Sequence, residues 1–321
     1  MVPVALLVWL ANSSRLIGPM EAGPLLLAHR GLGQEYPHEG LTSETCTAAR
    51  ILPPEHPYLE NTIPSMQAAF DLGADIVELD VHPTVDGRFA VFHDWTVDCR
   101  TDGTGVTREK TLAYLQSLDV GFGYTADGGE TYPFRGKGIG KLPALENVLD
   151  TFPDHRLLIN VKSNDLREGE LLAGLLAGLP SARLEKILVY GGARPIAVLR
   201  DRLPALRVMS QETLKHCLIR YIAFGWSGYV PASCERSLLL VPLNAAPWLW
   251  GWPHRFVRRM AAVGTPVFVV DDYAGGGFTQ GLNRVEDLER LPSNFAGGIW
   301  TDRIDLLAPA LGRTDASHPE H

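Results

Sequence analysis

Short runs of aliphatic and β-branched residues punctuate the chain, and most are followed by apolar positions at helical spacing. Leu25-Leu26-Leu27-Ala28 runs into His29-Arg30-Gly31. Residues 61–72 then place apolar side chains at 63, 66, 69, 70 and 72, which predicts an amphipathic helix capped near Asn61 or Thr62. A second strand is expected over 74–81 (ADIVELDV), with 89–92 forming a hairpin extension of it. Further strands are read at 157–161, 186–190, 206–209, 228–230, 266–270 and 298–301, and helical patterns near 107–118, 143–151, 168–178, 194–202, 211–224, 254–263 and 284–291.

Strands that alternate with helices in this way build a parallel sheet, because each crossover helix must return the chain to the same edge. Eight such units over about 275 residues favour closure into an α/β (β/α)8 TIM barrel over an open doubly wound sheet. The first strand is not followed by GxGxxG, and Gly275-Gly276-Gly277 lacks the P-loop pattern, so nucleotide-binding versions of the α/β plan are disfavoured. Two segments interrupt the alternation: an insertion after strand 1 (34–59) and another after the strand 2 hairpin (121–141). Long loops at the C-terminal ends of barrel strands shape substrate sites.

Composition narrows the function classes. The 321 residues are 45% hydrophobic and 21% charged, as a globular chain requires. With 29 Lys and Arg against 37 Asp and Glu the net charge is −8, which argues against nucleic acid as a partner. No apolar run approaches the roughly 18 to 20 residues of a membrane-spanning helix.

The expected strand ends carry the chemistry. His29 and Arg30 end strand 1. Glu78 and Asp80 lie two apart on strand 2 and share one face. His93 and Asp94 end the hairpin extension, and Asn160 and Lys162 close strand 3. Each has an ordinary structural reading as an ion pair or hydrogen-bonding group, but together they converge on one barrel mouth. Two neighbouring carboxylates in a low-dielectric site need compensation, and oxygen-only ligands favour a divalent cation such as Mg²⁺ or Ca²⁺. Arg30 and Lys162 would clamp a phosphate, and two imidazoles suit proton transfer in both directions.

In this combination the sequence resembles the glycerophosphodiester phosphodiesterase family of (β/α)8 barrels. The resemblance rests on His29-Arg30-Gly31, Glu60-Asn61-Thr62, the run 73–81 (GADIVELDV), Thr84-Val85-Asp86-Gly87, Val91-Phe92-His93-Asp94, 142–146 (LPALE), Lys162 and 298–303 (GIWTDR). It implies metal-dependent hydrolysis of glycerophosphodiesters to an alcohol and glycerol phosphate through a cyclic phosphate. His29 and His93 would be the acid–base pair, Glu78 and Asp80 metal ligands, Arg30 and Lys162 phosphate binders, and Glu60 a supporting group at the mouth. The chain departs from the family at Asn160, where the family usually carries a third acidic ligand; an amide oxygen still ligates hard cations, with one negative charge fewer. Two alternatives remain: phospholipase D-like action on lysophospholipids or sphingolipids, and a non-catalytic phosphate-binding barrel.

The domain reading is an apolar N-terminal segment (1–24), the barrel (25–311) and a disordered tail (312–321). Residues 2–11 read either as the remnant of an export signal or anchor or as an ordinary packed segment. The first places the protein in the periplasm or at a membrane, the second in the cytoplasm. Cys46, Cys99, Cys217 and Cys234 allow three pairings, of which 46–99 with 217–234 is the most local; buried thiols are the alternative. The stretch 237–252 (SLLLVPLNAAPWLWGW) reads as a greasy lip for peripheral membrane contact or as a loop packed on the barrel. Phe122, Tyr124, Tyr132 and Phe134 either line the pocket or pack the second insertion.

Overall fold

A computed structural model describes residues 2–17, 23–42, 45–275 and 280–313. Eight parallel strands form a nearly closed barrel: β1 (Leu25–Ala28), β2 (Ile76–Pro83), β4 (Arg156–Val161), β5 (Ile187–Gly191), β6 (Arg207–Ser210), β7 (Leu239–Pro242), β8 (Val267–Val270) and β9 (Gly298–Thr301), with β3 (Phe89–Val91) antiparallel on β2. Around the barrel the order is β6-β5-β4-β2-β1-β9-β8-β7. The seam between β6 and β7 is joined by the Val208 amide donating to the Arg236 carbonyl (3.2 Å) and the Ser237 hydroxyl donating to the Val208 carbonyl (3.1 Å).

The period of two along each strand sorts side chains between two cores. Leu27, Ile76, Leu158, Leu188, Phe268 and Trp300 fill the barrel interior, while Leu26, Val77, Leu79, Ile159 and Val189 face the surrounding helices. Gly298 is needed at its position, because a Cβ there would lie 2.1 Å from the Phe268 ring.

The helices are α1 (Val2–Asn12), α2 (Ile63–Asp71), α3 (Leu112–Ser117), α4 (Leu145–Thr151), α5 (Leu166–Ala177), α6 (Ser181–Leu184), α7 (Ala193–Arg202), α8 (Gln211–Phe224), α9 (His254–Ala262) and α10 (Ile304–Ala310). Thr62 caps α2 by accepting the Ser65 amide, as the Asn61/Thr62 start signal predicts.

Two readings are corrected. Residues 228–230 are not a strand: Gly228 adopts φ +88° after a 3₁₀ turn at Gly225–Ser227. The sixth barrel strand is instead β7, at the front of the stretch read as a lip, where Leu239 and Val241 are buried. The pattern at 284–291 is a 3₁₀ helix, Val285–Arg290.

Both insertions pack into a second small core beside the hairpin, with Ile51, Leu59, Val97, Leu118, Tyr124 and Phe134 buried together. Tyr124 and Phe134 meet edge to face at 5.7 Å, and Phe122 and Tyr132 sandwich the Arg135 guanidinium, so these aromatics pack the insertion. Cys46–Cys99 staples this layer and Cys217–Cys234 ties α8 to the approach to β7, the most local pairing. Of the N-terminal segment, 18–22 lie outside the described residues, as do Gly276, Gly277 and the tail from 314 onwards.

Candidate active site

The mouth is built by strand ends at the C-terminal face of the barrel. On β2, Glu78 and Asp80 follow Ile76 on the inward face, and both are fully buried. Strand register sets Asp80 beside Asn160 of β4 and Asn160 beside Tyr190 of β5. His29 follows Leu27 inward from β1, and its ring lies 5.0 Å from that of Trp300 on β9.

Asp80 is met on every side. Its Oδ1 accepts from the Asn160 amide at 2.9 Å and lies 3.3 Å from Lys162 Nζ. Its Oδ2 accepts from Asn61 at 3.0 Å and faces Arg30 Nε at 3.2 Å. Burial alone would raise this carboxyl, but the adjacent cations, Lys162 foremost, hold it well below the usual range. Glu78 is the opposite case. Burial and the Asp80 charge push it up to about 7, although Tyr190 donates to Oε1 at 2.7 Å and the Arg30 amide to Oε2 at 3.2 Å. Its Oε2 also lies 3.8 Å from His29 Nε2.

Each histidine is oriented through Nδ1 by a carboxylate: Asp302 lies 2.5 Å from that atom of His29, and Asp94 2.7 Å from that of His93. The two imidazoles are nonetheless split electrostatically. Burial and Arg30 act to lower His29, but Asp302 and Glu78 outweigh them and raise it. Burial, reinforced by Arg30, brings His93 down to about 4. Two environments therefore favour a protonated imidazole on one side and a neutral one on the other.

Glu60 spans two guanidiniums, Arg30 at 3.1 Å and Arg100 at 3.2 Å. Arg100 also donates to Asp94 (2.9 Å), Tyr124 (2.6 Å) and Thr47 (2.7 Å), tying the insertion layer to the mouth. Arg30 holds a left-handed backbone (φ 61°), followed by Gly31 at φ 79°, where a Cβ would collide with Ser65. Such strain in a non-glycine residue is kept where the surroundings overdetermine it. Here it turns the Arg30 amide onto Glu78 while its guanidinium reaches Glu60. Arg30 Nε is buried and faces Asp80 Oδ2 at 3.2 Å without an aligned hydrogen bond.

All eight residues singled out in the sequence thus meet at the mouth. The sequence reading passed over Arg100 and Tyr190 and gave Asp302, Asp94 and Asn61 no role. Asp302, Tyr190 and Asp94 stand at strand or hairpin ends, the signal that found the others. Arg100 lies in a loop and only tertiary packing reveals it. Among the described residues no group of three or more His, Cys, Asp or Glu is arranged to hold a metal. The donor set still suits a hard cation: two buried carboxylates, one of them with its pKa pushed up, match the one or two carboxylates with which Mg²⁺ is held alongside substrate phosphate.

Fold and mouth together define a (β/α)8 barrel whose C-terminal face carries two carboxylate-anchored imidazoles among buried acids and cations. Comparison with known proteins narrows the class. Residues 29–175 match the sequence model of the glycerophosphoryl diester phosphodiesterase family. It is 39% identical over 123 residues to the glycerophosphodiester phosphodiesterase of Bacillus subtilis, a match covering 36% of this chain and 41% of that protein. The chain thus spans about two fifths of the length of this curated relative. Two solved structures share its fold. The glycerophosphoryl diester phosphodiesterase domain of a Mycobacterium tuberculosis protein aligns with TM-score 0.62 at 19% identity, covering 91% of this chain and all of that one. An Oleispira antarctica phosphodiesterase, solved with the product sn-glycerol-3-phosphate, aligns with TM-score 0.54 at 18% identity over 90% of this chain and 97% of that one.

Proposed function

We propose that the protein hydrolyses glycerophosphodiesters to an alcohol and glycerol phosphate. The observation that carries this reading is the pair of imidazoles, each pinned through Nδ1 by its own carboxylate, around an Arg30–Asp80–Lys162 cluster. The bound glycerol phosphate of the Oleispira phosphodiesterase supports the substrate class.

In this reading Arg30 and Lys162 bind the phosphate oxygens. Neutral His93 takes the proton of the substrate's attacking hydroxyl, and protonated His29 gives its Nε2 proton to the departing alcohol oxygen. The P–O bond to the alcohol breaks as the new P–O bond closes a cyclic phosphate. The roles then reverse: His29 takes a proton from water, and His93 returns its proton to the ring oxygen that leaves. Asp302 and Asp94 hold the rings in the tautomer that keeps Nε2 available. Glu78 and Asp80, with the Asn160 amide oxygen, would hold a Mg²⁺ or Ca²⁺ ion, which would supply positive charge toward the phosphate. The raised pKa of Glu78 and the oxygen-only donor set support this placement.

The test is turnover of glycerophosphocholine with Mg²⁺ or Ca²⁺ supplied and then removed by a chelator. His29→Ala and His93→Ala should each lower kcat by on the order of 100-fold or more with the fold intact. Glycerol phosphate binding without turnover in the wild type would instead favour a non-catalytic phosphate-binding barrel.

A further inference from the structure

Away from the mouth, one face of the molecule breaks the usual rule of helix amphipathicity. α8 buries Cys217 and Tyr221 but turns Ile219, Ile222 and Phe224 outward, and Trp226 just beyond its end is exposed as well. α1, an uncharged eleven-residue helix, lies against the same end of α8 and leaves Leu6, Leu7 and Trp9 more than half exposed.

Specific bonds hold these pieces as one surface. Asn12 at the end of α1 donates to the Trp226 carbonyl at 2.7 Å. Arg259 on α9 reaches Asn12, the Tyr221 hydroxyl and the Gly225 carbonyl at 2.9 to 3.1 Å. The Trp250 indole donates to the Ile222 carbonyl at 2.8 Å, fastening the β7–α9 loop to the end of α8. That loop leaves the C-terminal end of β7, the face on which the mouth opens, and it carries Trp248 at 76% exposure. The apolar surface therefore runs from α1 to a loop on the mouth side of the barrel.

We propose that this surface seats the protein on an anionic lipid bilayer. Three observations favour a bilayer as the occupant. The exposed aromatics are mostly tryptophan, whose amphipathic ring is suited to the headgroup level. In a chain of net charge −8, α8 and α9 together carry Lys215, Arg220, Arg255, Arg258 and Arg259 against one acid, Glu212, a local positive field that complements anionic headgroups. α1 carries no charge and leaves Leu6, Leu7 and Trp9 exposed, apolar side chains that contact with a bilayer would cover. Seated this way, the barrel would present its mouth side near the lipid and admit phosphodiesters that keep an acyl chain in the bilayer. That last step rests on the proposed activity; the surface itself does not.

The test uses the full chain and sedimentation with vesicles of phosphatidylcholine alone or mixed with phosphatidylglycerol. The wild type should pellet with the mixed vesicles, less so at high salt, and its tryptophan emission should shift to the blue. The double variant Trp226→Ala/Trp248→Ala should bind them on the order of tenfold more weakly or worse. It should also hydrolyse soluble glycerophosphocholine at the wild-type rate but a vesicle-borne lysophospholipid more slowly. Absence of vesicle binding by the wild type, binding untouched in the variant, or a dimer in sedimentation equilibrium that the variant abolishes would each overturn the proposal; the last would assign the surface to a second copy. Vesicle binding in a protein that turns over neither substrate would sink the catalytic reading and leave the bilayer surface standing.

Discussion

At the scale of single residues, the mouth works by giving like groups unlike surroundings. Asp94 and Asp302 are both held below the usual carboxylate range although burial works to raise them, Asp94 chiefly by Arg100 and Asp302 chiefly by His29. Replacing either with Asn keeps the shape and removes the charge that fixes the Nδ1 tautomer. Asp302→Asn and Asp94→Asn should therefore lower kcat by at least about tenfold with KM for glycerophosphocholine little changed, measured by steady-state kinetics. His93 makes a stability prediction. Its folded pKa of about 4 lies below its ordinary value of 6.5, lowered by burial and by Arg30 and Lys162 against the pull of Asp80 and Asp94. Between those two values the unfolded chain binds a proton that the fold refuses, so falling pH costs stability at up to roughly 1.4 kcal/mol per pH unit from this one residue. Denaturant melts between pH 6.5 and 4 should show a shallower pH slope for His93→Gln than for the wild type. Asn160 gives a third expectation. Asn160→Glu should tighten Mg²⁺ or Ca²⁺ binding in calorimetry if that side chain meets the ion, and unchanged affinity would place it outside the coordination sphere.

At the scale of elements, the two disulfides do different work. Cys46–Cys99 closes 53 residues and Cys217–Cys234 closes 17, so chain entropy assigns them about 4 and about 3 kcal/mol respectively. Only the first lies next to the machinery, since Arg100 follows Cys99 and braces both Glu60 and Asp94. Cys46→Ser/Cys99→Ser should thus lower both Tm and kcat, whereas Cys217→Ser/Cys234→Ser should lower Tm with kcat nearly unchanged; calorimetry and turnover on the same samples check this. The elements also show where periodicity misleads. Residues 228–230 satisfy a strand pattern locally, but Gly228 is already committed to a left-handed turn. The true strand is hidden by the Pro- and Trp-rich loop that continues it. Conversely, ADIVELDV was readable because Val77, Leu79 and Val81 face the helices while Glu78 and Asp80 follow Ile76 on the inward face, as the two cores require.

At the scale of the molecule, the barrel is least tightly closed between β6 and β7, where an amide and a hydroxyl bond replace a continuous ladder. Ser237→Ala removes one of them, leaving the Val208 carbonyl to Arg200 at 3.3 Å, which should cost about 0.5 to 1.5 kcal/mol and speed amide exchange in β6 and β7 above the other strands. The alternation of strand and helix, apart from the strand read at 228–230, the insertions and the strand-end polar residues of the mouth were determined by sequence, because strand ends in a parallel barrel share one face whatever joins them. Tertiary structure alone decided which carboxylate each imidazole leans on, that Asp80 lies against the Arg30 and Lys162 side chains while Glu78 meets Tyr190 and the Arg30 amide, and that Arg100 reaches the mouth from the loop after β3. Those facts depend on distances between side chains far apart in the chain, and a linear pattern carries no record of them.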